Sequence, residues 1–373
     1  MLTPRSTLMR RVVAALDASP SRIPVLLGGC GSGRTTLTHQ LRDRLGRGPA
    51  LSIDVERTAT TPERFLRSIA SVSPLPVAEP PSSGARPAFA ATLDLFGRAR
   101  TNGGEPMTFL LDEFLELRTF ESFPGLRRIL HEFIDCISLS SNRFVLTSRY
   151  VARTLRLLRD RSARFEVIHM PGFTLEETLD VLAMGAASDT ADAEYTARSV
   201  QSLTDGRPAY VHLLVEALAE MREHGGGDPV SALASLLAPD GRLSKLCGYS
   251  YELRLHRARG YGALKAILDI LGDEEGLTLT EISQRLHRTP GSTKDYLSWL
   301  EDVDLVVARQ KRYSFGDALL RVWVRLHCRP TPPSEEDLAR EVHRYALPRL
   351  PQHEPALAMA AAGVRDSGII EID

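Results

Sequence analysis

Residues 28–36 read Gly-Gly-Cys-Gly-Ser-Gly-Arg-Thr-Thr. Glycines at this spacing let successive backbone N–H groups turn inward around phosphate oxygens. A helix opening directly behind them adds positive potential at its N-terminus. The pattern has the spacing of a GxxxxGK[ST] phosphate loop, with Arg34 in the lysine position. Gly28, Gly29, Cys30, Gly31, Ser32, Gly33 and Thr36 belong to the cradle, Arg34 faces the β- and γ-phosphates, and Thr35 places its hydroxyl on Mg²⁺. An arginine fork is longer than an ammonium and not interchangeable with it. Nucleotide binding is therefore expected, and efficient turnover is the open question.

Two further segments complete a site. Phe109-Leu110-Leu111-Asp112-Glu113 is an apolar strand that delivers two carboxylates at its C-terminal end, where open α/β sheets bind ligands. Asp112 is assigned to Mg²⁺, directly or through water, and Glu113 to orienting or deprotonating an attacking water. Phe144-Val145-Leu146-Thr147-Ser148-Arg149 is another apolar strand with a polar end. Thr147 or Ser148 could lie between the acids and the γ-phosphate, and Arg149 could contact a phosphate or the adjacent acid. Arg159, Arg161 and Arg164 follow. One of them acting on a neighbour's γ-phosphate competes with a plain solvated charge cluster.

The elements that must hold these residues alternate. Periodicity predicts helices over 7–18, 34–45, 62–72, 88–100, 124–139 and 151–161. Short apolar runs at 23–27, 50–55, 107–111, 143–147 and 165–168 read as strands. Such alternation predicts an α/β fold with a parallel sheet covered on both faces. Residues 73–87 hold five prolines and read as a surface loop. The α/β domain is placed at 1–172. Thr174 and Glu177 form a capping-box pattern that opens a helical domain at 173–244, with helices over 175–184, 190–203, 208–224 and 230–237. Residues 245–330 follow with helices over 263–271, 280–286 and 292–303 and a hairpin over 306–315, the order of a winged helix-turn-helix. The extension 331–373 carries one more helix, at 335–346.

Together these motifs resemble the P-loop ATPases of the AAA+ and STAND superclass. The likeness is to the archaeal-type ATPase families also found in bacteria, and more distantly to the Orc/Cdc6 initiators. It covers about residues 20–330, with Gly28–Thr35 as Walker A, Leu110–Glu113 as Walker B and the Thr147–Arg149 region as sensor 1. Ser148-Arg149 looks more like the STAND form than the asparagine of many AAA+ proteins. Gly206-Arg207-Pro208 matches the glycine-x-proline at a helix start in the family's lid, which implies a nucleotide contact from Arg207. Tyr313-Ser314-Phe315-Gly316-Asp317 matches a stretch of the family's winged helix. The resemblance implies a P-loop sheet domain, a helical lid and a winged helix, with ATP or ADP and Mg²⁺ between core and lid. It also implies self-association or a protein partner.

Charge narrows the partners. Lys plus Arg is 46 against 47 Asp plus Glu, and all but four of the basic residues are arginines. A global affinity for nucleic acid is not supported. Lys294 near the start of the last winged-helix helix, with Ser292, Thr293 and Tyr296, and Arg309, Lys311 and Arg312 on the wing, could meet duplex DNA. Glu301, Asp302 and Asp304 crowd the other end of that helix, so protein docking competes with DNA. His212, within an apolar helix, reads as packed rather than ligating. The cysteines Cys30, Cys136, Cys247 and Cys328 lack metal-ligand spacing. No apolar run of membrane length occurs, and a cytoplasmic location is expected. Two functions remain: an ATP-hydrolysing switch, supported by Glu113, and a nucleotide-binding scaffold with little turnover, supported by Arg34.

Overall fold

The computed structural model describes residues 5–46, 50–72, 84–161, 163–185, 190–256 and 260–351. The first part of the chain runs α1 (Ser6–Asp17), β1 (Ile23–Leu27), α2 (Arg34–Leu45), β2 (Ala50–Asp54), α3 (Val55–Thr58), α4 (Pro62–Val72) and α5 (Ala85–Arg98). It continues with β3 (Thr108–Asp112), a 3₁₀ helix (Phe114–Ser122), α6 (Ile129–Leu139), β4 (Arg143–Ser148), α7 (Val151–Leu158) and β5 (Phe165–His169). The five strands form one parallel sheet in the order β2-β3-β4-β1-β5.

Period-two alternation explains why this sheet is buried on both faces. Leu26, Leu110, Val145 and Ile168 point to the side covered by α1 and α2, where Met9, Val12, Leu37 and Leu41 meet them. Val25, Phe109, Leu111, Phe144 and Leu146 point to the opposite side, with Phe96 of α5 and Phe133 of α6. Phe109 and Phe144 are cross-strand partners, with stacked rings 5.4 Å apart. Phe96 meets Phe109 edge-on at 5.0 Å and Phe144 at 6.1 Å.

Beyond the sheet come α8 (Leu175–Gly185), α9 (Thr190–Thr204), α10 (Pro208–Glu223), α11 (Pro229–Leu237) and α12 (Arg242–His256). The Thr174–Glu177 capping box forms, each residue's side chain accepting from the other's backbone N–H. Then follow α13 (Tyr261–Asp273), β6 (Leu277–Thr278), α14 (Leu279–Leu286), α15 (Pro290–Asp302), β7 (Val306–Arg309), β8 (Arg312–Phe315), α16 (Ala318–His327) and α17 (Glu335–Ala346). The last three strands make a small antiparallel sheet in the order β6-β8-β7. Gln310 and Lys311 both have positive φ, the two-residue hairpin geometry that matches strand twist. This is a P-loop-type parallel sheet followed by a helical layer and a winged helix. The C-terminal α17 packs on α11 and α16, and the Tyr345 hydroxyl donates to the Leu203 carbonyl 2.7 Å away.

Some expectations need correction. The helix expected over 124–139 starts only at Ile129, because Gly125 turns the chain at φ 77°. The segment before it, Phe114–Ser122, forms a 3₁₀ helix with Phe114, Leu117 and Phe120 buried. The sequence reading places no element between 245 and 262, yet α12 fills most of that span and buries Cys247, Tyr251 and Arg254. Of the loop expected over 73–87, residues 73–83 lie outside the described residues, whereas Ala85–Pro87 belongs to the first turn of α5. Residues 352–373 of the C-terminal extension also lie outside them.

Phe96 is fully buried among three other aromatic rings. Phe96→Ala is expected to cost about 3–5 kcal/mol of stability, read as a lower urea midpoint at unchanged slope. A loss below about 1 kcal/mol would mean that the cluster does not organise this face of the sheet.

Candidate nucleotide-binding site

β1 ends at Leu27 and the glycine loop follows at once. Gly31 and Gly33 have φ of 77° and 84°, left-handed values that only glycine adopts without strain. Gly33 caps α2, whose first residues are Arg34, Thr35 and Thr36. The lid helix α10 sits against the loop: the Ala209 N–H donates to the Gly31 carbonyl at 3.1 Å. A Cβ on Gly31 would lie 2.8 Å from that of Ala209, so this approach requires glycine. A cavity of about 260 Å³ opens beside the loop. Gly31–Thr36 line one side, and Arg5, Phe173, Pro208 and His212 line the other.

The strand ends bring the polar residues together. The Thr35 hydroxyl donates to Asp112 Oδ2 at 2.8 Å. The Thr147 hydroxyl donates to the other Asp112 oxygen and accepts the Glu113 N–H at 3.0 Å. Glu113 has a left-handed backbone, φ 54°, and its side chain is 7% exposed. Its carboxylate is held from two sides. Arg34 Nη1 lies 2.7 Å from Oε1, and Arg149 Nε lies 3.1 Å from the same oxygen. The Arg149 backbone N–H donates to Oε2 at 3.0 Å. Arg34 Nε also reaches Ser32 Oγ at 3.3 Å. Arg149 pairs in addition with Glu56 of α3. Burial opposes the charge of Arg149, but Glu113 and Glu56 outweigh it and hold the guanidinium above its ordinary pKa.

The remaining expected site residues take other positions. Ser148 is fully buried; its Oγ accepts the Tyr150 N–H, and its carbonyl accepts the Gly28 N–H. Arg207 lies beneath the loop. Its Nη1 is 2.5 Å from Asp317 Oδ2 and 3.4 Å from the Cys30 carbonyl, and its guanidinium stacks 4.7 Å from the Tyr210 ring centre. The Tyr210 hydroxyl donates to the same Asp317 oxygen at 2.7 Å. Burial works against a charged Asp317, yet Arg207 and Tyr210 outweigh it and hold that carboxyl below the usual range. Asp317 also caps α16, so one buried carboxylate joins the phosphate loop to the winged helix. Arg161 pairs with Asp135, and Arg164 donates to the carbonyls of Ser21, Ser138 and Ser140.

Several neighbours of the site escaped the sequence reading. Arg5 and Phe173 line the cavity, together with His212, which the sequence reading took only as packed. The guanidinium of Arg5 lies 5.0 Å from the Phe173 ring centre, and His212 meets that ring edge-on at 5.8 Å. Glu56, directly after β2, could have been suspected as an acid at a strand end. Asp304 stood out in the sequence only as one of the acids crowding the end of α15. Its carboxylate accepts the Val151 and Ala152 N–H groups, so the winged helix caps the helix that follows Arg149. Arg254 of α12 donates to the Asp304 carbonyl at 3.0 Å. Asp302 pairs with Arg156 on the same face. The acidic end of α15 therefore docks on the sheet domain. At its other end Lys294 is exposed, as are Arg309, Lys311 and Arg312 on the wing. Thr293 is fully buried and donates to the Thr289 carbonyl, and Tyr296 packs on Trp299. The structure thus removes Thr293 from any exposed contact surface, while Tyr296 is half-buried.

The Winged helix-turn-helix DNA-binding family matches residues 263–307. Among curated proteins no relative matches. Among solved structures the chain is similar to the Walker-type ATPase PABY2304 of Pyrococcus abyssi, with a TM-score of 0.63 and 19% identity over 87% of this chain and 96% of that one. The fold is that of a P-loop ATPase. Weaker overlaps occur with the Orc1 protein of Aeropyrum pernix in complex with DNA (TM-score 0.48, 16% identity, 96% of this chain and 95% of that one). Another is with the STAND protein PH0952 of Pyrococcus horikoshii, which has a tetratricopeptide repeat sensor (TM-score 0.37, 16% identity, 91% of this chain and 44% of that one).

Asp304 gives this P-loop fold a pH signature. Burial raises its carboxyl to about 6, against the hydrogen bonds from Val151 and Ala152 and the charge of Arg254. An unfolded aspartate titrates near about 3.9. The folded state thus binds the extra proton, and this stability is present below about pH 4 and lost as pH rises through about 6. Asp304→Asn should flatten the stability change between those values by up to about 3 kcal/mol. Urea unfolding of both proteins at several pH values tests this; identical slopes would remove Asp304 from the account.

Proposed function

We propose that the chain binds ATP with Mg²⁺ and acts as a hydrolysing switch that couples nucleotide state to its winged helix. One observation carries this reading: the Thr35 hydroxyl and the Asp112 carboxylate meet at 2.8 Å directly beside a left-handed glycine loop. A hydroxyl and a carboxylate are the hard oxygen donors that Mg²⁺ takes alongside water and phosphate. Thr35 and Asp112 would hold the ion, which when bound neutralises phosphate charge. Loop N–H groups and the α2 N-terminus would bind the phosphates. Thr147 orients Asp112 through its hydroxyl and Glu113 through its backbone.

The Arg34–Glu113 pair sets the chemistry of turnover. Arg34 and Arg149 both occupy Glu113 Oε1, so an attacking water reaches that oxygen only if one of them moves aside. Phosphate oxygens compete for the same Arg34 fork. When Arg34 turns to phosphate, Glu113 keeps Arg149 alone and its Oε1 gains room for a water. Arg207 is engaged by Asp317, so in this reading it transmits lid position to α16 rather than touching nucleotide. The same Arg34–Glu113 pair favours a second reading, a nucleotide-binding scaffold in which Arg34 stays on Glu113 and turnover is scarce.

Binding and phosphate release measured together separate the two. Glu113→Gln should keep ATP bound and lower turnover at least about 100-fold. Thr35→Ala should weaken binding chiefly when Mg²⁺ is present. Tight binding by the natural protein without turnover selects the scaffold. No binding at all would sink both readings.

For the winged helix, we infer that duplex DNA contacts Lys294, Arg309, Lys311 and Arg312, which project away from the acidic docked end of α15. Each neutralised phosphate adds about 0.9 to the salt slope of binding. Joint replacement of Arg309, Lys311 and Arg312 by alanine should lower the slope by about 2 to 3, read by fluorescence anisotropy across a salt series. An unchanged slope would assign the wing to protein contacts.

A further inference from the structure

A second cavity of about 260 Å³ lies between α16 and α17, away from the phosphate loop. Four arginines line it: Arg321 and Arg325 from α16, Arg344 from α17 and Arg349 just beyond. The acids in its wall are Glu275 and Glu341. The lining therefore carries a surplus of two positive charges.

Pairing within and just outside the wall leaves one guanidinium, that of Arg344, without a close partner of its own. Arg325 and Glu341 form a two-pronged pair at 2.8 and 2.9 Å. Arg321 lies 3.0 Å from Glu275, whose other prong accepts the Phe315 N–H. The nearest carboxylate oxygen paired with Arg344 is Glu341 Oε1 at 3.9 Å, the oxygen that Arg325 already holds. Arg349 turns to Asp205, an exposed acid outside the cavity wall, at 2.9 Å. Crowding is felt at Arg321, whose guanidinium is pulled below its ordinary pKa by burial first and then by Arg325 and Arg344, against the attraction of Glu275.

We propose that this cavity binds a small anionic ligand carrying a terminal phosphate. Guanidinium forks from two helices match phosphate oxygens in shape and charge. A recess of this size, with the under-paired Arg344 beside the forks of Arg321 and Arg325, suits one compact terminal phosphate better than a row of phosphodiester monoanions. The site also borders the contact between lid and winged helix. Arg349 holds Asp205, two residues before Arg207, and Ala318 in the wall directly follows Asp317. This inference is independent of the nucleotide reading.

The test is calorimetric titration of the full chain with inorganic phosphate, alongside Thr35→Ala to perturb the glycine loop and Arg344→Glu to perturb the cavity. Arg344 is mostly exposed, so melting without phosphate should be unchanged in the second variant, and Arg344→Gln serves as a milder one. The expected result is a phosphate-binding phase that survives Thr35→Ala and weakens at least tenfold in Arg344→Glu, with a smaller loss in Arg344→Gln. Binding abolished by Thr35→Ala, binding indifferent to both Arg344 variants, or no binding at millimolar phosphate would overturn the proposal. So would a duplex that displaces phosphate and itself loses affinity in Arg344→Glu, since the cavity would then serve a nucleic-acid backbone.

Discussion

The buried ion pair between Arg34 and Glu113 is the constraint around which the site is arranged. Both side chains are about 7% exposed, and taking two charges out of water is favourable only when their remaining hydrogen-bonding capacity is met. Here it is met from several elements at once. Arg149 supplies a guanidinium and a backbone N–H to Glu113, and Ser32 accepts from Arg34. Removing one member of such a pair typically costs about 3–5 kcal/mol because the other is left buried and alone. The glycine loop, the Asp112–Glu113 strand end and the β4 strand end are thus tied into one charged unit.

From that unit two polar links run to the C-terminal half. Arg207 joins the Cys30 carbonyl of the loop to Asp317, which caps α16. Asp304 caps α7, the helix that begins two residues after Arg149. Each link is a carboxylate buried between elements far apart in the chain, so a shift in lid or winged helix would strand a charge. Such links favour discrete arrangements over gradual sliding. The lid meets the loop backbone to backbone as well, at Ala209 and Gly31.

Much of the fold was legible locally. The strand cores Ile23–Leu27 and Phe144–Leu146 are continuous apolar runs because a parallel sheet is covered on both faces. The glycine loop needed only its spacing, since backbone conformation at Gly31 and Gly33 is a one-residue property. The 3₁₀ segment Phe114–Ser122 was not legible, because its buried residues, Phe114 to Leu117 and Phe120, form a run that includes the charged Glu116 rather than one face of an α-helix or strand. Nor was α12, whose buried stripe mixes Cys247 and Tyr251 with Arg254; a charged residue in that stripe hides it from a hydrophobic pattern.

The sequence alone determined the order of the five sheet strands and the chemical identity of the loop and strand-end residues, because periodicity and turn preference act over a few neighbours. Only the tertiary structure decided what each charge faces. Arg34 lies on Glu113 rather than in open solvent, Arg207 lies on Asp317, and Asp304 caps a helix more than 150 residues earlier in the chain. Arg321, Arg325 and Arg344 face one recess between two helices. Pairing of this kind depends on distance in space and on the removal of water, and neither is written in local order along the chain.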